Sequence, residues 1–575
     1  MRYRSILSII PVIAIAIGAC KKEFLQMPIT NSTTIDSVFT TNVKAQGAIA
    51  NAYRNCLGQG LPWKNWWNAM LQENLSGGMN YGFSWTMAKD LVLNGYSASG
   101  VNEDMDGYGN NFPPIRQAYL VKENIDKVTD MSEGDKAVVK AEMQALIAYR
   151  YEQMFIMYGG VPIVSNSLKA SDSLAIPRNT LQQVLDSVVS WCDQAAAVLP
   201  SKWPDTWTGR MTKAAALAIK SKALLHAARP LFNSATPYLD FGGNNNLICL
   251  GNAETNRWTT AANAADAVIT EAEAGGGAYI INTGNPLDDY STATSVPSNA
   301  EVLLAFKFKN DVLFDGGNWN NLPMNAFYNC RVWEAQGNVL TTNQLENYYK
   351  ADGTNQTWPD VGTSAAFSTY TTKMNQMEGR FRSTFQPWEM DAWNNPGDAN
   401  WKNDNTFGNG PGFGCARVVK FYAKAGGRAW FEFPIFRLAA AYLSAAEAWN
   451  EAGQTQKALD RLNKIRQRAG LPAVTETDQT KLRAIIQREW AVEFFDENYR
   501  LHDVKHWKLS NIANGILGGP IRAMSFNSGA AVKLTGNTNY TDKVLYTALW
   551  APKQYLNPFP LTEINKGYLI QNPGY

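Results

Sequence analysis

A mainly α fold of degenerate tetratricopeptide-like helix pairs, with a loop-rich face and few short strands, is what this 575-residue sequence predicts. Three observations point there. Apolar and small residues recur at helical spacing over long stretches. One of these, residues 436–472, reads as a helix, a turn at Gly453, a second helix, then Gly470 and Pro472. Its Tyr442, Ala446, Gly453 and Ala458 stand where paired helices meet and turn. Between such stretches, residues 58–111 and 275–430 are rich in Gly, Asn, Ser, Thr and Trp, with sparse helical periodicity.

Taken in order, the chain opens with Arg2 and Arg4, an apolar run from Ile6 to Ile17, and Ile17-Gly18-Ala19-Cys20. A dozen apolar residues are too few to span a bilayer, and small residues before a cysteine resemble a lipobox. This predicts a lipoprotein signal peptide over 1–19 and acylation (palmitate-type) of the Cys20 thiol. An ordinary signal peptide with a chance cysteine is the alternative. Residues 43–57 place Ala45, Ile49, Ala52, Tyr53 and Cys56 on one helical face. Residues 135–164 read as a long amphipathic helix stopped by Gly159-Gly160 and Pro162. The alanine-rich 211–232 and 258–272 read as helices that let a neighbour approach closely. In the irregular regions the short strand 302–309 stands out. On this reading a single body, 20–575, follows the leader. It has an N-terminal helical part (20–274), an irregular loop-rich insertion (275–430) and a C-terminal helical part and tail (431–575).

Composition excludes some functions. From Cys20 onward the charges balance, so there is no basic footprint of the kind nucleic-acid binding needs. The six cysteines have no CxxC spacing, and five remain once Cys20 is acylated, so neither a zinc motif nor a disulfide framework is expected.

Few residues nominate chemistry. His502 and His506 have i,i+4 spacing but no HExxH context, and a packing role is the better reading; the same holds for His226. Asn102, Asp104 and Asp106 before Gly107 form half a calcium loop. Pro113 stands where the bidentate acid belongs, so a solvated acidic turn fits as well. No cofactor is otherwise expected. Tryptophan is the informative residue, with 19 in the chain. Trp191, Trp258, Trp449, Trp490 and Trp507 fall on helical patterns and read as core. Trp63, Trp66, Trp67, Trp85, Trp319, Trp333, Trp358, Trp388, Trp393 and Trp401 fall in the irregular regions, near amide and guanidinium side chains. An indole plane packs against the CH-rich face of a sugar ring, and it also serves protein interfaces or pins its own loop.

Several ordered blocks resemble one family. After Cys20 comes "KKEFL" and Pro28. "KAEMQALIAYRYEQMFIMYGGVPIV", "GRMTKAAALAIKSKALLHAARPLFN" (209–233), Glu301-Val302 with its apolar run, "FRLAAAYLSAAEAWNEAG", "REWAVEFFDENYRLHDVKHW" (488–507) and "NPFPLTEINKGYLIQNPGY" (557–575) follow in the order seen in the SusD/RagB family. The resemblance implies a SusD-like fold and a non-catalytic lipoprotein anchored in the outer membrane and facing the cell exterior. Such a protein captures oligo- or polysaccharide for a SusC-like TonB-dependent transporter. It also implies a glycan site built from the loop after the first helices, 58–111, and from roughly 311–340. There the candidates are Trp66, Trp67, Trp85, Trp319 and Trp333, with Asn68 and Arg331 as hydrogen-bond donors. Peptide capture by the same lid arrangement, and a surface glycoside hydrolase, are the alternatives.

Overall fold

The computed structural model describes residues 35–58, 71–81, 87–100, 107–169, 171–309, 338–390, 414–421, 430–509, 516–526, 534 and 538–575. The expected mainly α architecture is present. Its principal helices are α1 (Asn42–Gly58), α2 (Leu71–Leu75), α3 (Phe112–Asn124), α4 (Glu133–Tyr158), α5 (Leu181–Ala196), α6 (Lys213–Ala228), α7 (Thr255–Thr270), α8 (Thr342–Leu345), α9 (Gly379–Thr384), α10 (Leu438–Glu451), α11 (Thr455–Arg468), α12 (Gln479–Glu493) and α13 (Arg500–His506). They pack in succession, α4 on α5, α5 on α6, α6 on α7, α7 on α10 and α10 on α11. Alanine explains the close succession. Ala214, Ala215, Ala218 and Ala223 of α6 and Ala261, Ala262 and Ala265 of α7 are all buried, and small side chains shorten the distance between helix axes.

The helix ends follow local chemistry. Ser132 accepts from the Asp135 amide at 3.1 Å, Thr180 forms a capping box with Gln183, and Asp478 accepts from the Lys481 amide at 2.9 Å. Each such cap contributes about 1 kcal/mol. At the end of α4, Gly159 adopts φ 79°, and a Cβ there would meet the Leu247 carbonyl oxygen at 2.6 Å. A glycine is therefore required at this stop, and α4 ends at Tyr158, with 159–164 outside the helix. The helix pair expected over 436–472 is α10 and α11, turning at Gly453 with φ 74°.

Nine strands are described: β1 (Met79–Tyr81), β2 (Val302–Lys309), β3 (Asn338–Leu340), β4 (Ser364–Ala366), β5 (Phe385–Pro387), β6 (Ala416–Val418), β7 (Trp430–Arg437), β8 (Gly519–Phe526) and β9 (Asn539–Ala548). They form antiparallel groups in the orders β1-β3-β6-β5, β2-β7 and β4-β9-β8. Strand β7 corrects the helical reading of 436–472 at its start. Phe436 and Arg437 belong to β7, because Val302 and Leu304 of β2 pair with them, and the helix begins at Leu438. Residues 275–430 also hold more helix than the sequence suggests, including Pro286–Ser295 and Phe367–Asn375.

The described cysteines Cys56, Cys192, Cys249 and Cys415 are free and buried. No helix among the described residues is long and apolar enough to cross a membrane.

Candidate functional site

The fold brings the roots of the two tryptophan-rich segments together twice. Gly58, the last residue of α1, lies against the Phe306 ring of β2, where a Cβ would come within 3.1 Å of the ring. Gly58, the last described residue before 71, therefore lies beside β2, and β2 ends at Lys309, the last described residue before 338. At the returning ends, β1 pairs with β3, with Tyr81 opposite Asn338. Between α2 and β1, the Gly77 and Gly78 carbonyls accept from the Thr341 hydroxyl at 2.7 and 3.0 Å. The described residues flanking 59–70 and 310–337 are thus neighbours on both sides, Gly58 with Phe306 and the α2–β1 turn with Thr341.

The proposed ligand residues Trp66, Trp67, Asn68, Trp85, Trp319, Arg331 and Trp333 lie outside the described residues. So do the acylation candidate Cys20 and the calcium candidates Asn102, Asp104 and Asp106. Among the described residues no group of His, Cys, Asp or Glu is arranged to hold a metal ion.

Beneath the roots sits a buried ionic cluster. Arg437, at the end of β7, bonds Glu301 at 2.7 Å, Glu493 at 2.9 Å and Glu497 at 2.8 Å. Arg380 of α9 bonds Glu378 at 2.7 Å and Glu489 at 2.8 Å, and Arg466 bonds Glu489 at 2.5 Å. Arg468 bonds Glu301 and Glu493, and Lys420 bonds Glu497 at 2.7 Å. Five cations thus face five carboxylates, which is what lets so many charges sit away from water. Burial alone would raise the Glu493 carboxyl, but the guanidiniums of Arg468, Arg437 and Arg380 outweigh it and hold it at about 2. The cluster ties Glu301, just before β2, Lys420, just before residues 422–429, and Arg437 to α12. Sequence blocks far apart in the chain, Glu301-Val302, "FRLAAAY" and "REWAVE", converge here as partners.

Two described features stand at the roots. The first is Trp207, which is 44% exposed, with the Arg210 guanidinium 5.0 Å from its ring. Trp203 lies on Arg210 at 4.2 Å, and Arg210 is held by Glu142, whose carboxylate also accepts from Tyr53. The Lys307 ammonium of β2 donates to the Thr208 carbonyl at 3.3 Å, so this exposed indole sits beside β2 near the departing ends. The sequence reading passed over Trp207; its signal was the polar, proline-containing stretch "KWPDTWTG", which no helical pattern covers.

The second feature is a groove of about 490 Å³ at the returning ends. Ser76 and Gly77 form one wall, α8 and its C-cap residue supply Asn343 and Glu346, and Arg522 of β8 and Arg500 of α13 also line it. Arg522 is spent on Glu346 at 2.7 Å and Asp542 at 3.1 Å. Asn343 accepts from the Arg522 amide at 2.8 Å.

Other tryptophans divide by burial. Trp449, Trp490 and Trp507 are buried as expected, while Trp191 and Trp258 are half-buried against the core. Trp388 departs from the reading of its region as a source of platforms. It is 1% exposed, its indole N–H donates to the Gly414 carbonyl at 2.9 Å, and its amide donates to the Tyr370 hydroxyl. It pins the frame from inside. The histidines are core residues. The His226 and His506 rings meet edge to face at 4.6 Å, and His506 Nε2 lies 3.0 Å from the Ile156 carbonyl.

Comparison with known proteins fits this architecture. Residues 300–575 match the model of the SusD family, and residues 35–225 match a model described as starch-binding associating with outer membrane. SusD-like protein P25 of Formosa agariphila is 22% identical over 430 residues, covering 68% of each chain. The solved structure of a SusD-like protein from Bacteroides fragilis superposes with a TM-score of 0.73 at 23% identity, covering 94% of this chain and 98% of the other. A SusD-like carbohydrate binding protein from the same species superposes with a TM-score of 0.68 at 18% identity, covering 93% and 99%.

Proposed function

We propose that this chain, which belongs to the SusD/RagB family, is a glycan-capture protein of the outer membrane, anchored through Cys20. It holds oligo- or polysaccharide on the face built by its tryptophan-rich segments and delivers it, without catalysis, to a SusC-like TonB-dependent transporter. The observation that carries the reading is the double juxtaposition of roots. The described residues that flank 59–70 and 310–337 meet twice, Gly58 on Phe306 of β2 and, further along the chain, β1 on β3. On this reading the indoles of both segments serve one ligand. The exposed Trp207 beside β2 adds a further flat apolar surface next to a fixed guanidinium. Indole faces flanked by amides and arginine suit a ligand with CH-rich faces and many hydroxyls. Two similarities support the reading: the description of the matched family as associating with the outer membrane, and the carbohydrate-binding designation of one structural relative.

The test is a glycan array probed with the chain lacking residues 1–19, followed by calorimetry and product analysis of each hit. Binding without release of shorter sugars is expected. An array blank for neutral and acidic glycans alike, or release of products, overturns the reading.

A further inference from the structure

The groove at the returning ends contains one cation with nothing to hold. Arg500 is only 8% exposed, yet its guanidinium makes no hydrogen bond or ion pair among the described residues, while it lines the groove. The other charged lining groups, Arg522 and Glu346, are bonded to each other. Behind Arg500 stand Glu73 and Asp503, which act on it through space without bonding it. Glu73 spends Oε1 elsewhere, and its Oε2 has no hydrogen-bond partner among the described residues. It accepts from the Asp496 amide at 2.9 Å, and Gly78 packs so tightly on it that a Cβ there would fall 2.6 Å from its Oε2. Asp503 is drawn the other way, onto Arg229 at 2.6 Å. A guanidinium whose side chain is buried but whose donors reach only the water of the groove is poorly compensated for the solvation it has given up. Such a group is stabilised by an oxyanion entering from the groove, and arginine suits carboxylate and sulfate geometry.

We propose that this groove is a subsite for an acidic substituent of the captured glycan, a sugar carboxylate or sulfate ester, with Arg500 as its principal ligand. Ser76, Asn343 and Asn347 supply the hydroxyl and amide groups that meet the sugar around it. About 490 Å³ accommodates a sugar residue or two. This rests on the glycan-capture reading and narrows it to acidic glycans.

Ligand-observed NMR titration on the chain lacking residues 1–19 tests it with four probes: methyl β-glucuronide, galactose 6-sulfate, methyl β-galactoside and inorganic sulfate. We expect one or both acidic sugars to bind, and which of them binds identifies the source of the oxyanion. Arg500→Gln should weaken that binding by about tenfold or more, as loss of a charge-assisted bond does. Val544→Trp, at a 47% exposed groove residue, should block the same probes and leave the buried charges untouched. Circular dichroism and thermal melting check both folds, so binding lost in folded Val544→Trp supports the proposal even if Arg500→Gln fails to fold. Acidic sugars that bind both folded variants as they bind the parent overturn it. So does binding of inorganic sulfate alone, or no binding by the parent, which would mean that Arg500 closes onto Glu73 or Asp503 instead. Capture of neutral glycans with equal affinity by parent and Arg500→Gln sinks only this subsite, whereas a blank glycan array sinks the capture reading itself.

Discussion

Arg437 meets Glu493 at 2.9 Å, both side chains fully buried, and so joins the end of β7 to the last turn of α12. One guanidinium here also bonds Glu301 and Glu497, which makes it the hub between the β2–β7 strand pair and the helices packed beneath it.

Breaking that hub should be expensive. Arg437→Met leaves three buried carboxylates short of a partner, and a loss of about 3–5 kcal/mol in unfolding free energy is expected by urea denaturation. The double variant Arg437→Met with Glu493→Leu should recover part of this, because a balanced apolar pair replaces an unbalanced charge. A double variant less stable than the sum of the two singles would show that the pair is not coupled as the geometry requires.

Acid should weaken the fold in two windows. Burial pushes the His506 imidazole down to about 3, so the fold holds it neutral while the unfolded chain takes up a proton near the ordinary histidine value. Its contribution is therefore complete above about pH 6.5 and is lost as pH falls toward 3. Glu493, held at about 2, adds a loss that begins near the ordinary carboxylate value and runs toward 2. Stability measured against pH should fall from about 6.5 downward, and His506→Gln should remove about one proton from the slope between pH 6 and 5. An unchanged slope in that variant would contradict the assignment.

Glu73 should act with the opposite sign. Burial raises its carboxyl to about 7, above the value in an unfolded chain, so its contribution is present in mild acid and disappears as pH rises through 7. Glu73→Gln should therefore stabilise the protein above pH 7 by about 1–3 kcal/mol relative to the parent, with little effect at pH 5. Thermal melts at the two pH values check this.

Losing a stacking indole should cost about 2 kcal/mol, roughly thirtyfold in affinity, at any position that is a hot spot. Calorimetry with an array-selected glycan on Trp→Ala variants at 66, 67, 85, 207, 319 and 333 is the measurement, with dichroism as the folding control. If all six bind like the parent, the ligand face lies elsewhere.

Anchoring is tested at Cys20. Cys20→Ala should abolish labelling by radioactive palmitate and move the protein out of the membrane fraction, because each buried acyl CH₂ contributes about 0.8 kcal/mol to membrane attachment. Persistent labelling would refute the lipobox reading.

Much of the frame was legible in the order of residues. The helices read over 43–57, 135–164, 211–232 and 436–472 show their period, and the stops at Gly159, Gly453 and Gly470 are local chemistry, although the third ends at Ala228, before Pro230. Phe436 was misplaced because an apolar run leading into a helix looks helical; its pairing with Leu304 of β2, more than a hundred residues away, made it a strand. Trp388, read only as one of the irregular-region tryptophans that could pin a loop or serve a ligand, was decided by the same kind of distant contact. Its polar surroundings in sequence suggest a surface loop, while the Gly414 carbonyl and the Tyr370 hydroxyl that bury it come from other segments.

The sequence by itself determined the helical body, its turns and the family to which the chain belongs, because helix periods, caps and glycine stops depend on residues a few positions apart. Only the tertiary structure decided that Glu301, Arg437 and Glu493 balance one another, that Gly58 lies on Phe306, and that Arg500 lines a groove without an acceptor among the described residues. Those are relations of charge and contact between residues from tens to hundreds of positions apart. Their energies depend on burial and distance, which arise only when the chain has closed on itself.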